Sequence, residues 1–176
     1  MSWKWGGLMA GKCLYFVEGP CEKQLISALK ESPGKLIPGK IKVFNIIQRL
    51  IPRSQLLSIQ QGTVVALVFD TDVPNAEILK KNIELLGRYC GKVKIICLAQ
   101  VLNLEDELVR CTDVREIQEL TQSRGVRNFK ADFCRMKPVD SRNLLERHHI
   151  NVGELWETAA PETFGFLNRN AKQIKV

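Results

Sequence analysis

The chain alternates between short apolar runs and stretches with helical spacing. The run "CLYFVEG" is apolar almost to its end, and Leu25, Ile26 and Leu29 then recur on one helix face. Three further runs, "KIKVFNII", "TVVALVFDTD" and "KVKIICLAQV", follow with helical patterns between them. Strands that are apolar throughout and alternate with helices are typical of a parallel sheet covered on both faces. We predict strands at 13–19, 40–47, 63–72 and 92–101, and helices at 20–31, 52–60 and from Pro74.

After residue 101 the pattern changes to short helical pieces. Their apolar spacing predicts helices at roughly 104–123, 129–136, 140–148 and 152–157. With 176 residues and 45% apolar content, the chain is the size of one domain with a substantial core. The predicted fold class is α/β, a mainly parallel four-stranded sheet flanked by helices. We expect an N-terminal arm at 1–12, an α/β domain at 13–110, and a helical C-terminal extension at 111–176 packed on the same domain.

The charge is basic and unevenly distributed. The chain carries 26 Lys and Arg against 19 Asp and Glu, and residues 1–62 hold nine basic residues against only Glu18, Glu22 and Glu31. A basic surface attracts polyanions such as nucleic acid, although many basic proteins bind none. No stretch approaches the roughly 18–20 apolar residues of a membrane helix, and the first residues lack the pattern of a secretory signal. We expect a soluble cytoplasmic protein with no membrane partner.

Two other patterns carry no chemistry in our interpretation. The six cysteines include no C-x-x-C pair, so we expect reduced, structural thiols and no zinc site. Gly6, Gly11 and Lys12 satisfy G-x-x-x-x-G-K, but Cys13 replaces the Ser or Thr that would hold magnesium. A phosphate loop follows a strand and opens a helix, whereas here a strand comes after the motif. We predict a flexible arm there and no nucleotide site.

Acidic residues stand where the predicted strands end. Glu18 closes the first strand, Asp70 and Asp72 close the third, and Glu105 lies just beyond the fourth. Glu22 follows four residues after Glu18, in the first turns of a predicted helix. In an open parallel sheet, ligands bind outside the carboxyl ends of the strands. We therefore expect these five side chains to lie near one another at a single edge of the sheet.

Each acid also has a structural explanation. An acid at a helix start favours the helix dipole, "DTDVPN" suits a capped turn, and "LEDEL" suits a solvated helix face. Together, however, the five converge on one edge, and grouped carboxylates repel one another unless a cation neutralises them. Hard oxygen ligands of this kind suit Mg²⁺, Mn²⁺ or Ca²⁺. The sequence thus predicts a site for a divalent metal.

The same residues resemble a known family. "VEG" after the first strand and "DTD" after the third are similar to the Toprim domain of topoisomerases, bacterial primases and several nucleases, with Glu18, Asp70 and Asp72 at its acidic positions. The extra Glu22 resembles the nuclease branch, especially the overcoming-lysogenization-defect type. Those nucleases carry S-x-E after the next strand, where this chain has Asn103 and Glu105. The resemblance covers residues 13 to about 108 and implies a Toprim/Rossmann-like fold.

The resemblance implies a metal-dependent endonuclease that hydrolyses phosphodiester bonds in DNA or RNA, in phage defence or nucleic-acid processing. Phosphodiester hydrolysis can use two cations, and five carboxylates could hold two Mg²⁺ or Mn²⁺ ions. We expect Glu18, Glu22 and Asp70 to hold one ion, with Asp72 and Glu105 holding the other. These nucleases use a later lysine, for which Lys130 is the preferred candidate and Lys172 the second.

Nucleic-acid contacts and partners are the last expectations. Six basic residues are candidates for contacts with the nucleic-acid backbone: Lys23, Arg124, Arg127, Lys130, Arg135 and Lys137. Two alternatives stay open: a subunit active only with a separate ATPase partner, because related enzymes usually carry an ATPase domain, and a non-catalytic nucleic-acid-binding or metal-binding module. His148 and His149 are read as part of a polar helix end, where positive charge suits the dipole.

Overall fold

Four apolar runs form one parallel sheet. The structure, a computed structural model, describes residues 13–31 and 33–176, so the predicted N-terminal arm and its phosphate-loop-like motif lie outside the described residues. The strands are β1 (Cys13–Val17), β2 (Gly39–Val43), β3 (Val64–Asp70) and β4 (Lys94–Gln100). They lie in the order β2-β1-β3-β4, and every neighbouring pair is parallel. The predicted α/β class with a parallel four-stranded sheet is confirmed.

Helices connect and follow the strands. Their bounds are α1 (Pro20–Lys30), α2 (Arg53–Leu57), α3 (Glu77–Tyr89), α4 (Leu104–Cys111), α5 (Ile117–Thr121), α6 (Val126–Arg135) and α7 (Pro138–Arg147). Two short 3-10 helices, Glu162–Phe164 and Ala171–Ile174, complete the chain. Within residues 13–31 and 33–176, no helix combines the length and apolar character needed to cross a bilayer.

Both faces of the sheet are covered. Alternate residues of each strand point to opposite faces, so Tyr15 and Val17 join one buried cluster and Phe16 joins the other. The first cluster contains α1 and residues of α4–α7, including Phe129, Phe133 and Leu145. The second contains residues of α2 and α3 together with Phe164. The C-terminal helices therefore share a core with the sheet.

The strand order places a crevice between β1 and β3. From β1 the chain crosses to β2 on one side, and β3 then returns to the other side of β1. The connections therefore diverge at the carboxyl ends of these two neighbouring strands. Such a switch in direction is where open α/β sheets bind ligands. Glu18 directly follows β1 and Asp70 ends β3, so both lie at this crevice.

Two predicted boundaries move because side chains cap the chain locally. The second strand ends at Val43 instead of residue 47, since Oδ1 of Asn45 accepts hydrogen bonds from the N–H groups of Ile47 and Gln48. Helix α3 begins at Glu77 instead of near residue 74. Its first N–H donates to Oδ1 of Asn75, which holds the preceding residues in a turn.

The helical prediction for the C-terminal region is partly wrong. The predicted helix over 104–123 is two helices, because Thr112 adopts an extended backbone after α4. The predicted helix over 152–157 is a series of turns. Trp156 has a φ of 61°, in the left-handed region, and its N–H donates to the carboxylate of Glu107. This long-range hydrogen bond fixes a backbone that a helix cannot adopt.

Candidate metal and nucleic-acid site

Two neighbouring cavities lie at the carboxyl ends of the strands. The first, of about 350 Å³, is lined by all five predicted acids and by Lys130. The second, of about 550 Å³, shares four of these residues with the first. The shared residues are Asp70, Asp72, Glu105 and Lys130. The sheet thus brings the predicted acids together, and the cavities meet over the end of β3.

Glu18 connects β1 to β3. Its Oε2 accepts a hydrogen bond from the N–H of Asp70 at 2.8 Å. Burial raises the pKa of the Glu18 carboxyl, and repulsion from Glu22 and Asp72 raises it further. The N–H of Asp70 and the side chain of Asn45 oppose this rise in pKa because they hydrogen-bond to the charged form. Glu18 therefore sits in a position that favours a cation.

Glu22 lies in the first turn of α1 and is only 8% exposed. Helix α1 starts at Pro20, whose missing N–H needs no partner at that position. A Cβ atom on Gly19 would lie 3.1 Å from Oε2 of Glu22, so the glycine leaves room for the carboxylate. Burial raises the pKa of Glu22, backbone hydrogen bonds at the helix start oppose the rise, and Glu105 adds repulsion. Glu22 is thus a buried acid facing another acid.

Asp70 is the most perturbed acid of the site. Burial raises its pKa to about 8, and the negative charges of the four other acids add to the rise. Its Oδ1 accepts a hydrogen bond from Nε2 of Gln100 at 3.0 Å. Asp72, two residues later, is exposed and lines both cavities. The end of β3 therefore carries a carboxyl group that holds its proton near neutral pH unless a cation approaches.

Gln100, at the end of β4, is a site residue that the sequence prediction missed. It is fully buried, and its Oε1 has no hydrogen-bond partner in the structure. Thr71 Oγ1 donates to the carbonyl of Gln100 and accepts from the N–H of Leu102, which has a φ of 68°. These bonds fix the turn between β4 and α4. A single polar residue ending an apolar strand was the available signal.

Asn45 is the second missed residue. It follows β2 and lines the first cavity beside Glu18. Its Oδ1 is engaged by two backbone N–H groups, and its side chain also stabilises the charged form of Glu18. The sequence signal was an isolated asparagine within an apolar run, which the strand prediction absorbed.

Glu105 and Lys130 form an ion pair over the site. Helix α4 places Glu105 in its first turn, after Asn103, whose Oδ1 accepts from the N–H of Asp106 at 2.9 Å. Nζ of Lys130 on α6 lies 2.7 Å from Oε1 of Glu105, and the hydrogen bond raises the pKa of the lysine. The side chain of Lys130 is 56% exposed, and that of Glu105 is 13% exposed. Asn103 is therefore the N-cap of α4, and Lys130 is a cation on a long side chain beside the acids.

In this conformation the acids do not converge on one point. No group of three His, Cys, Asp or Glu side chains within residues 13–31 and 33–176 has the geometry to hold a metal ion. Glu18 is directed to a backbone N–H, Asp70 to Gln100 and Glu105 to Lys130. The donor set of five carboxylates fits a hard divalent cation in its chemistry. The carboxylate side chains must change rotamer before they can bind such a cation together.

Most of the predicted nucleic-acid contacts lie outside the two cavities. Lys130 lines both cavities, whereas the other five candidates line neither and are exposed: Lys23, Arg124, Arg127, Arg135 and Lys137. Arg115 and Gln118, which the sequence prediction did not include, line the second cavity. The cations that line the second cavity therefore include Arg115, which precedes α5.

The remaining candidates lie elsewhere. Lys172 belongs to the last 3-10 helix and lines neither cavity. His148 ends α7, and its Nδ1 lies 2.9 Å from Oδ1 of Asp113. His149 follows with a φ of 54°. The structure thus places Lys130, and not Lys172, beside the acids, and leaves both histidines at a helix end.

Comparison with known proteins adds no relative. No protein-family model matches this chain, and neither the curated proteins nor the solved structures contain a match.

Proposed function

We propose that this protein is a divalent-metal-dependent nuclease that hydrolyses phosphodiester bonds in DNA or RNA. The observation that supports this function is the grouping of five acids at the ends of three neighbouring parallel strands, centred on Asp70 with its pKa raised to about 8. Mutual repulsion at such a site is relieved by a cation. The Toprim-like arrangement of Glu18, Asp70 and Asp72 supports the same proposal.

The proposed cofactor is a pair of Mg²⁺ or Mn²⁺ ions. Glu18, Glu22 and Asp70 would hold one ion, and Asp72 with Glu105 would hold the other. Bound ions of this kind make a water nucleophilic and neutralise charge on the attacked phosphate. Gln100 would keep the carboxyl of Asp70 oriented through its 3.0 Å hydrogen bond. In the same way, the side chain of Asn45 would keep the carboxyl of Glu18 oriented.

Cationic side chains would position the substrate. Lys130 stands over the acids, where its ammonium group can bind a phosphate oxygen in place of Glu105. Arg115 lines the second cavity and would contact a neighbouring phosphate. Since the two cavities share their central residues, one polynucleotide strand would run across both.

A cleavage assay tests this proposal. Purified protein is incubated with plasmid, single-stranded DNA and structured RNA, each in Mg²⁺ or Mn²⁺ and each with a chelator control. We expect metal-dependent cleavage of at least one substrate. Asp70→Ala and Glu18→Ala should reduce cleavage by at least about 1,000-fold while keeping the circular-dichroism spectrum. Asp140→Ala, an exposed acid on α7, is the matched control and should stay active. Full activity of either site variant contradicts the assignment.

A second candidate function is supported by the Glu105–Lys130 ion pair. This pair already neutralises one of the five acids, as expected of a site that is completed only when another molecule draws Lys130 away. The molecule would be a separate ATPase partner, or nucleic acid bound without cleavage. Calorimetric titration with Mn²⁺ beside the cleavage assay separates these functions. Binding without turnover favours the non-catalytic module, and turnover only with an added partner favours the subunit.

A further inference from the structure

Two thiols lie at the edge of the candidate metal site. Cys21 immediately precedes Glu22 in α1 and lines the first cavity. Cys134 lies on α6, four residues after Lys130 and therefore on the same helix face. Both cysteines are partly exposed, whereas the other four are buried: Cys13, Cys90, Cys97 and Cys111. A small oxidant in solvent can thus reach this pair and not the others.

The two sulfur atoms are held close together. Sγ of Cys21 lies 2.7 Å from Sγ of Cys134, although 113 positions separate the residues in the chain. A formed disulfide has an S–S distance of about 2.05 Å, so bond formation needs a movement of about 0.7 Å. The carbonyl of Lys130 lies 3.6 Å from Sγ of Cys21, which places the first turn of α1 directly against α6. We infer that Cys21 and Cys134 form a reversible disulfide that controls the neighbouring metal site.

The chemistry is thiol–disulfide exchange with a small dialkyl disulfide such as oxidised glutathione. One protein thiol attacks the small disulfide and forms a mixed disulfide with one of its sulfur atoms, while the original S–S bond breaks and one small thiol leaves with a proton. The second protein thiol then displaces the other small thiol, which also takes a proton. The protein pair loses two electrons and two protons, and the small disulfide gains both. Reduced glutathione reverses the reaction.

The bond would act on metal binding through Lys130, a consequence that rests on the function proposed above. A disulfide ties Cys134 to the residue before Glu22, and Lys130 lies one turn earlier on the same helix. Helix α6 then cannot move away from α1, and the backbone that carries Lys130 stays close to Glu105. Since Lys130 competes with a metal ion for the carboxylate of Glu105, the oxidised form should bind Mn²⁺ at least about 10-fold more weakly than the reduced form.

Peptide mapping tests the disulfide by itself. Metal-free protein is equilibrated in glutathione buffers from fully reduced to fully oxidised, alkylated and digested with trypsin. We expect a cross-linked product of peptides 13–23 and 131–135 that is lost on reduction. Cys13 shares the first peptide, so two variants distinguish the partners. Cys21→Ser should abolish the product and Cys13→Ala should keep it. Absence of the product, or its persistence in Cys21→Ser, overturns the inference.

Calorimetric titration with Mn²⁺ tests the coupling. Oxidised and reduced wild-type protein should differ at least about 10-fold in affinity, whereas Cys134→Ser should bind equally in both buffers. Equal affinities of the two wild-type forms overturn the control of the metal site. Absence of Mn²⁺ binding in both forms overturns both the regulation of the metal site by the disulfide and the proposed nuclease function. The peptide map tests the disulfide independently of Mn²⁺ binding.

Discussion

The molecule buries acidic side chains in two regions and treats them in opposite ways. Glu107 is fully buried in α4, with Arg110 Nη2 at 2.6 Å from Oε2 and the N–H of Trp156 donating to Oε1. Arg110 also donates to the carbonyl of Val101 at 2.8 Å. Two residues earlier in the same helix, Glu105 belongs to a group of acids that face one another and a single lysine. An arginine and a backbone N–H compensate the first acid, whereas the first cavity sets five acids against one lysine.

This difference separates an acid that stabilises the fold from acids that are prepared for a ligand. A buried charge with hydrogen-bond partners on every side fixes its neighbours, here the turn between β4 and α4. Grouped acids that repel one another and are partly withdrawn from water lower the stability of the fold, and such a cost is usual at functional sites. Burial alone therefore does not identify the functional acid, whereas the grouping of several mutually repelling acids around one lysine does.

Removing Glu107 should have the largest effect on stability. Glu107→Ala leaves the buried N–H of Trp156 without an acceptor and removes the partner of Arg110, which is 32% exposed and can still reach water. We expect a loss of about 2–4 kcal/mol in the free energy of unfolding, measured by urea denaturation. Glu107→Gln should lose less because it keeps an acceptor for that N–H. Wild-type stability of both variants would show that Glu107 is not structural.

Replacing Asp70 should change stability in the opposite direction. Asp70→Asn removes a partly buried carboxyl group whose ionisation four other acids oppose, and its side chain still accepts a hydrogen bond from Gln100. We expect metal-free Asp70→Asn to be more stable than the wild type by about 1–3 kcal/mol at pH 8, after allowance for partial exposure to solvent. The same urea experiment measures it. A loss of stability in this variant would remove the contrast between the two regions.

The pH dependence of that gain follows from the raised pKa of Asp70. The folded state keeps the proton up to a pH of about 8, whereas the unfolded chain releases it near pH 4. Between these values the folded state binds more protons, so the stability that Asp70 contributes falls as the pH rises. The difference between Asp70→Asn and wild type should therefore be near zero at pH 4 and largest at pH 8. A gain that is constant from pH 4 to pH 8 would exclude ionisation of Asp70 as its cause.

Most of the fold was predictable because its signals are local. Apolar runs define β1, β3 and β4, and an acid at the end of a buried strand is visible in the sequence. Parallel strands bring their carboxyl ends to one edge, so residues 52 positions apart, such as Glu18 and Asp70, could be placed together.

The rest depends on contacts that no local pattern encodes. The choice of Lys130 over Lys172 depends on how α6 packs against α1. The closeness of Cys21 to Cys134 depends on the same packing, across 113 positions. The turn at Trp156 is held by a side chain on a distant helix, so helical spacing gave the wrong prediction there.

Replacing Lys130 tests whether the five acids of the first cavity are prepared for a cation. Lys130→Met removes the more exposed partner of the ion pair, whose side chain is 56% exposed, so the free energy of unfolding should change by less than about 1 kcal/mol. Mn²⁺ affinity should rise a few-fold because Glu105 is released, while cleavage should fall because the phosphate loses its cation. Calorimetry and the cleavage assay measure the two effects. A fall in both would mean that Lys130 helps to build the metal site instead of competing with the metal.

Gly19 gives the smallest expected effect and examines the geometry of Glu22 alone. The backbone of Gly19 is extended, with a φ of −151°, so alanine is tolerated there without backbone strain. Its new Cβ atom would lie 3.1 Å from Oε2 of Glu22 and push that carboxylate by a few tenths of an ångström. We expect Gly19→Ala to change stability by less than about 0.5 kcal/mol and to weaken Mn²⁺ binding about 3-fold. Gly125→Ala, at the extended N-cap of α6 where an added Cβ meets nothing within 4 Å, is the matched control. The added Cβ disturbs Glu22 alone. An unchanged Mn²⁺ affinity in Gly19→Ala would therefore mean that Glu22 does not bind the metal and, like Glu107, has a structural role. Four acids would then remain as metal ligands.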